Sequence, residues 1–205
     1  MRTLLLLTLT FFLSTSMYSQ NYLLEKDQSG YEFDWSFHVI DYGSGFGGSD
    51  GWNNLVQFGY THAGRFDVSV GLFTEKPNGG DIILPIQWFF NSEFSFSVLK
   101  EGLGNAPLTL NVFSGFQLGG SQNYYDAWLR PGISLHKRIK KKESFSLNPG
   151  LIMRYSFTRS GYGFLGLGVR LDCHSGDFRF GPSIMLEDGV QYGISMGFVL
   201  PSVRR

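Results

Sequence analysis

The stretch that decides the fold is Val190 to Leu200, VQYGISMGFVL, in which apolar residues alternate with small or polar ones. One face of this alternation consists of Val190, Tyr192, Ile194, Met196, Phe198 and Leu200. The opposite face consists of Gln191, Gly193, Ser195 and Gly197. Successive side chains of an extended chain point to opposite faces, so a period of two indicates a β-strand with one apolar face.

The same alternation recurs along the chain in segments separated by Gly, Asn, Asp and Ser. The segments are 33–39, 56–60, 66–72, 82–90, 108–118, 127–135, 145–157, 163–171, 178–186 and 190–200. They predict an all-β, antiparallel up-and-down barrel of ten strands, with eight or twelve as alternatives. Residues 91–106 are the uncertain part: Phe94, Phe96 and Val98 keep the parity of the preceding segment, which allows one long strand from Ile82 to Val98.

Composition supports an all-β protein. The 205 residues include 27 Gly and 17% aromatics, and Gly is costly inside helices. Lys and Arg number 17 against 17 Asp and Glu, so no global positive field exists to hold nucleic acid. The single cysteine, Cys173, excludes an internal disulfide framework.

Residues 1–19 have the pattern of a secretory signal peptide. Arg2 precedes an apolar run from Thr3 to Leu13, and the small residues that follow predict cleavage after Ser16 or Ser19. Eleven apolar residues are too few to span a bilayer as a helix, which needs about 20. Residues 20–205 are therefore expected to form one exported β-barrel domain.

The composition of the two strand faces distinguishes a soluble barrel from a membrane barrel. The polar faces are made mostly of Gly, Ser, Asn and Gln, which suits a crowded lumen better than a solvated exterior. An arginine facing lipid costs about 2–4 kcal/mol at mid-bilayer, and all the strand arginines fall on the polar faces. Aromatic residues that could form interfacial girdles are Tyr31, Tyr42, Trp52, Tyr60, Tyr124, Tyr125, Trp128, Tyr155 and Tyr162.

In its signal and in nearly the whole of its mature chain, the sequence resembles the small outer-membrane β-barrels of Gram-negative bacteria, of the outer membrane protein beta-barrel domain type. The resemblance implies an integral outer-membrane location, contact with outer-membrane lipid, and insertion by the barrel-assembly machinery. It implies no cofactor.

The candidate site is a polar cluster in the lumen. Its predicted members are Asp34, His38, Asp67, Arg130, Arg154, Arg170 and Arg179. Barrel closure brings the first strand beside the last, so Asp34 is expected to approach Arg179 or its neighbours. The cluster could form an anion-selective constriction, a small-ligand site, or a plug of ion pairs that fills a narrow lumen.

Two further segments carry reactive or charged residues. Asp172 to Asp177 contains Cys173, His174 and Ser175, the residue types of acyl transfer, but adjacent residues of an extended chain point apart. We expect a polar hairpin turn there. The segment from His136 to Lys142 predicts a basic turn that could contact lipid phosphates or an acidic partner. The four histidines are scattered, so no metal site is predicted.

These observations favour a non-enzymatic structural or surface-interaction protein, with loops 43–51 and 119–126 as contact surfaces for a surface or envelope partner. A narrow pore for small solutes is the first alternative. A lipid-modifying barrel enzyme that uses His174 and Ser175, and an exported soluble ligand-binding barrel, are the others.

Overall fold

The computed structural model describes residues 28–41, 50–76, 86–102, 105–121, 124–142 and 145–202. The predicted signal peptide, Tyr42 and most of the loop 43–51 lie outside these residues. Within them, no helix is long and apolar enough to cross a membrane.

The structure consists of β-strands joined by turns and loops. The strands are β1 (Gly30–Asp41), β2 (Asp50–His62), β3 (Phe66–Lys76), β4 (Gln87–Leu99), β5 (Thr109–Ser121), β6 (Tyr124–Leu129), β7 (Gly132–His136), β8 (Ile139–Lys142), β9 (Phe145–Thr158), β10 (Gly163–Ser175), β11 (Phe178–Glu187) and β12 (Gly189–Pro201).

Three of these segments form a single barrel strand. Phe116 of β5 pairs with Leu129 of β6, and Phe113 of β5 pairs with Gly132 of β7. The two pairs have the same register, so β6 and β7 are collinear. Pro131 interrupts the strand because it has no N–H to donate. The register of β9 continues likewise from β7 into β8. The barrel therefore has ten strands, which confirms the predicted number.

The barrel is closed and antiparallel throughout. β1 pairs with β12 along its full length, from Gly30 opposite Pro201 to Asp41 opposite Val190. The ring is completed where β9 pairs with β10. We call the end at which β1 begins and β12 ends the terminal end, and the opposite end the loop end. Closure removes every free sheet edge, as a membrane-spanning sheet requires.

The fourth strand continues past the segment 82–90, in agreement with the alternative of one long strand that reaches Val98. The structure places it at Gln87–Leu99, so Phe94, Phe96 and Val98 belong to the same strand as Phe90 and share its outward face. The predicted start at Ile82 lies outside the described residues. Residues 91–99 are therefore strand rather than part of the connection to β5, because the alternation continues in phase as far as Val98.

The polarity of the barrel is the reverse of that of a soluble protein. Large apolar side chains are exposed on its outer surface, among them Leu72 and Leu151, each 57% exposed. Polar and charged residues far outnumber hydrophobic ones among the buried residues of the described strands. Tyr31, Tyr60 and Tyr155 lie outside as predicted, but Trp128 packs inside against Leu55, Phe73 and Phe89, so its assignment to an outer girdle is wrong.

Candidate functional site

The strand period places alternate residues of every strand in the lumen, where they form two charged clusters separated by an apolar layer. From the terminal end to the loop end, β11 presents Arg179, Met185 and Glu187 to the lumen in that order. The neighbouring strand β9 presents Ile152 and then Arg154. Ile152 and Met185 pack together with Phe113, so an apolar contact lies between the two clusters.

The cluster toward the terminal end joins β1, β10 and β11 through buried ion pairs. The Arg179 guanidinium donates to Asp34 Oδ1, and its Nη1 lies 3.8 Å from Asp172 Oδ1. Arg170 Nη2 donates to the same Asp172 oxygen at 2.5 Å. Arg170, Arg179 and Asp172 are buried completely or almost so, and Asp34 is 4% exposed. The predicted approach of Asp34 to Arg179 thus occurs in the structure.

Glycines on the inward faces make room for this cluster. A Cβ at Gly197 would lie 2.3 Å from Asp34 Oδ1, and a Cβ at Gly181 would lie 2.3 Å from Asp172 Oδ1. Real Cβ atoms do not approach other heavy atoms so closely. Gly181 in β11 and Gly197 in β12 therefore leave room for the carboxylates of neighbouring strands.

The cluster toward the loop end is built around Arg154. Its Nε donates to Glu187 Oε1 at 3.1 Å and its Nη2 to Glu187 Oε2, so the pair is bidentate, and Ser156 Oγ donates to the same carboxylate. A bidentate guanidinium–carboxylate pair combines two charge-assisted hydrogen bonds in a fixed geometry. Arg130 lies over the Trp128 ring, 5.0 Å from its centroid.

These loop-end side chains border a cavity of about 70 Å³. It is lined by Arg130, Arg154, Trp128, Glu187 and Gln191, with Asp188 of the β11–β12 turn at the rim. Burial raises the pKa of Asp188, and the nearby charge of Glu187 raises it further.

The remaining two predicted members lie apart from both clusters. His38 is buried, with Nδ1 2.9 Å from Asn53 Oδ1, and its ring fills the space that Gly193 leaves empty. Asp67 lies near the terminal end, where the Thr61 hydroxyl is within hydrogen-bond distance of Asp67 Oδ1, at 3.4 Å, and of Glu32 Oε1, at 3.2 Å. The structure therefore divides the predicted cluster into four local groups.

The predicted cluster lacks several carboxylates that the structure places in the lumen. Glu32, Glu93 and Glu187 all have inward parity, which is the signal that could have found them. Asp172 was assigned to a turn but lies in β10, and the turn begins at Gly176. In the described strands, the luminal carboxylates Glu32, Asp34, Asp67, Glu75, Glu93, Asp126, Asp172 and Glu187 outnumber the four luminal arginines.

The segment around Cys173 does not assemble a nucleophile. His174 has inward parity and is half-buried, whereas Ser175 is exposed on the other face. Cys173 is a free thiol. No group of three His, Cys, Asp or Glu side chains among the described residues could hold a metal ion.

The basic segment is also different from the prediction. His136 ends β7 with its side chain buried, and residues 139–142 form β8, so most of the segment is strand. Lys137 Nζ donates to Glu101 Oε1 at 2.6 Å, and the Arg138 amide donates to Glu101 Oε2 at 2.7 Å. The turn after β4 is thereby attached to the sixth barrel strand at the terminal end.

Comparisons with known proteins find similarity among solved structures. No protein-family model matches the chain. No curated protein sequence matches it either. Among solved structures, the chain is similar to a KdgM porin in complex with disordered oligogalacturonate, with 15% identity and a TM-score of 0.47. The match covers 84% of this chain and 99% of the porin chain. The protein itself is an all-β, closed ten-stranded antiparallel barrel with a polar interior and an apolar exterior.

Proposed function

We propose that the protein is an integral outer-membrane β-barrel whose lumen is closed at rest, and that it acts as a structural or surface-interaction protein without enzymatic activity. The observation that carries this proposal is the filled lumen. Arg179, Gln117, Asn91, Asn111 and Asn148 are all buried almost completely inside the barrel. A barrel of this strand number has an interior that side chains can fill.

The energetics of the two charged clusters support a closed resting state. A conducting path would have to separate pairs such as Arg179–Asp34 and Arg154–Glu187, whose side chains are at most 6% exposed. Separating a buried pair costs about 3–5 kcal/mol because it leaves an uncompensated charge. A conducting path would also have to separate Phe113, Ile152 and Met185, which pack against one another.

An enzymatic role has less support. His174 and Ser175 lie on opposite faces of β10, so they cannot share a proton as a base and a nucleophile must. Unchanged lipid A in cells that overexpress the protein is the expected result, and modified lipid A would contradict a non-enzymatic role.

Electrophoresis and planar-bilayer recording test the proposal together. Protein extracted from the outer-membrane fraction should change mobility in SDS on boiling, because a closed membrane barrel resists cold SDS. The same protein should give no conductance steps in a planar bilayer. Release without detergent and a single mobility would contradict the membrane assignment, and stable conductance steps would contradict the closed lumen.

The loop-end cavity of about 70 Å³ favours a narrow pore as a second candidate. Its walls include Arg130, Arg154 and Glu187, so a channel that opened there would be lined by charged side chains. The excess of luminal carboxylates over arginines predicts cation preference rather than the anion selectivity that the arginines alone suggested. Conductance that changes in size or selectivity with Arg154→Ala or Arg170→Ala would establish this candidate.

The proposed contact surfaces are the loop 43–51 and the hairpin 119–126. The hairpin is not a long loop as predicted, because Gly119–Ser121 and Tyr124–Asp126 pair as the ends of β5 and β6. The proposed partners are outer-membrane lipid, the barrel-assembly machinery during insertion, and a surface or envelope protein. Deleting residues 43–49, which lie between β1 and β2, should leave the mobility shift on boiling intact while it weakens an envelope or surface-binding phenotype. Deletions that leave every such phenotype intact would remove the surface-interaction role.

A further inference from the structure

The loop-end cavity is lined by buried hydrogen-bonding groups that have no partner in the described part of the chain. Arg154 is 3% exposed and Glu187 occupies its Nε and Nη2, yet its Nη1 is unpaired. The buried Nε of Arg130 and the buried Oε1 of Gln191 are unpaired as well. Buried polar groups are normally hydrogen-bonded, so two donors and one acceptor left over around a single cavity indicate a polar ligand.

The two guanidinium groups are held in place before any ligand arrives. Arg154 is fixed by its bidentate ion pair, and a Cβ at Gly166 would lie 3.1 Å from Arg154 Cγ, so the neighbouring strand leaves little space beyond what this side chain needs. The Arg130 guanidinium lies over the ring of Trp128, which stacks on Phe164 at a centroid distance of 6.4 Å. Donors fixed in this way lower the entropic cost of binding.

The charges around the cavity do not balance. Its lining contains two guanidinium groups, Arg130 and Arg154, and three carboxylates, Glu75, Glu187 and Asp188, so its net charge is −1. Glu187 pairs with Arg154, and the charge of Glu75 attracts Arg130. Among the described residues, the charge that acts on Asp188 is that of Glu187, and it is repulsive. The carboxylate at the rim is therefore the one that lacks a compensating cation.

This arrangement distinguishes between classes of small ligand. A simple anion would pair with the N–H donors but would add negative charge to a lining that is already negative. A simple cation would pair with Asp188 but would leave both buried donors unpaired, which is costly. A ligand that carries a carboxylate and an ammonium group satisfies both ends. The volume of about 70 Å³ corresponds to about two water molecules of about 30 Å³ each, which suits the two oxygens of one carboxylate.

We propose that the loop-end cavity is a binding site for a free α-amino acid. The carboxylate of the ligand accepts hydrogen bonds from Arg154 Nη1 and Arg130 Nε. Its ammonium group donates to Gln191 Oε1 and pairs with Asp188 at the rim, and its side chain extends toward the loop end. The site needs a folded barrel, but it rests neither on the membrane location nor on a closed lumen.

Equilibrium dialysis of the full-length protein in detergent micelles against radiolabelled glycine, acetate or methylammonium at pH 7 tests the site. Acetate and methylammonium each carry one of the two charged groups of glycine. We expect one bound glycine per barrel, with an affinity at least tenfold higher than that for either other probe, because a hydrogen bond to a charged group contributes about tenfold or more. An affinity for glycine no higher than that for acetate or methylammonium would overturn the proposal, as would no retention at about 1 mM free glycine.

Two pairs of variants test the contacts. Asp188→Asn should lower the affinity for glycine at least tenfold without lowering that for acetate, whereas Asp177→Asn, in the exposed turn between β10 and β11, should change neither. Arg130→Gln should lower the affinity for both glycine and acetate, whereas Arg159→Gln, in the exposed turn between β9 and β10, should change neither. Equal effects within either pair would overturn the proposal. Each variant is first checked for its mobility shift on boiling, and loss of that shift in the wild-type protein would refute the membrane location instead.

Discussion

Replacement of Arg179 by methionine should cost the barrel about 4 kcal/mol at pH 7, because it removes the partner of a buried carboxylate. Arg179 is fully buried, donates to Asp34 Oδ1 and lies 3.8 Å from Asp172 Oδ1. Asp172 keeps its hydrogen bond from Arg170, so Asp34 is the group left without its partner. Removing one partner of a buried ion pair costs about 3–5 kcal/mol, because the remaining charge is left uncompensated.

Protonation limits this cost and gives it a pH dependence. An aspartate with the ordinary unfolded pKa of about 3.9 can be neutralised at pH 7 for about 4 kcal/mol, and at pH 5 for about 1.5 kcal/mol. The deficit of Arg179→Met relative to wild type should therefore shrink by about 2.5 kcal/mol between pH 7 and pH 5. The double variant R179M/D34N should recover most of the loss at pH 7, because no ionisable group then replaces the pair.

The assay is guanidinium unfolding in detergent micelles at pH 7 and pH 5, followed by tryptophan fluorescence. Arg159→Met serves as the matched control, because Arg159 is exposed in the turn between β9 and β10 and should change stability by less than about 0.5 kcal/mol. A deficit below about 1 kcal/mol for Arg179→Met would refute the reasoning. A deficit of the same size at pH 7 and pH 5, or no recovery with D34N, would refute it equally.

Three other predictions test the exterior, the glycine spacing and the turn at the terminal end. Leu72→Arg places a charge on the apolar outer face and should destabilise the barrel in lipid by about 2–4 kcal/mol, whereas a soluble barrel would tolerate it; unfolding in vesicles measures the difference. Gly193→Ala should lower the free energy of unfolding by about 1–3 kcal/mol, since the added Cβ would lie 2.0 Å from His38 Cδ2. Gly166→Ala, whose nearest contact would be Arg154 Cγ at 3.1 Å, should lower it less. Wild-type stability for Gly193→Ala would contradict the packing of His38. Burial, with the charge of Arg138 adding to it, lowers the pKa of Lys100 in the turn after β4 to about 7. Between pH 7 and pH 10 the unfolded chain therefore binds more protons than the folded protein, so the stability of the wild-type protein should rise over that range. In guanidinium titrations Lys100→Met should show no such gain. Parallel pH curves for the two proteins would exclude this role of Lys100.

The strand alternation could be read from the sequence because a period of two needs no tertiary information. Residues such as Tyr192, Met196 and Phe198 occur at every second position, and the structure exposes all three. The barrel class, its closure and the strand number follow from ten such segments. The exact limits of β4 did not follow, because Phe89 is apolar yet faces inward and obscures the alternation at that point. Trp128 was misplaced for the same reason: large apolar residues also occur inside.

The local residue pattern thus determined which face of each strand each arginine would occupy, because parity along a strand is a property of the backbone alone. Only the tertiary structure decided which groups meet. Arg154 meets Glu187 across 33 residues of sequence and Arg179 meets Asp34 across 145, and these pairings depend on strand register around the closed ring. Register is set by the sum of all pairings, including those at Gly181 and Gly197 that leave space for carboxylates. The division of the lumen into two ion-paired clusters with an apolar layer between them is therefore a property of the closed barrel and not of any one strand.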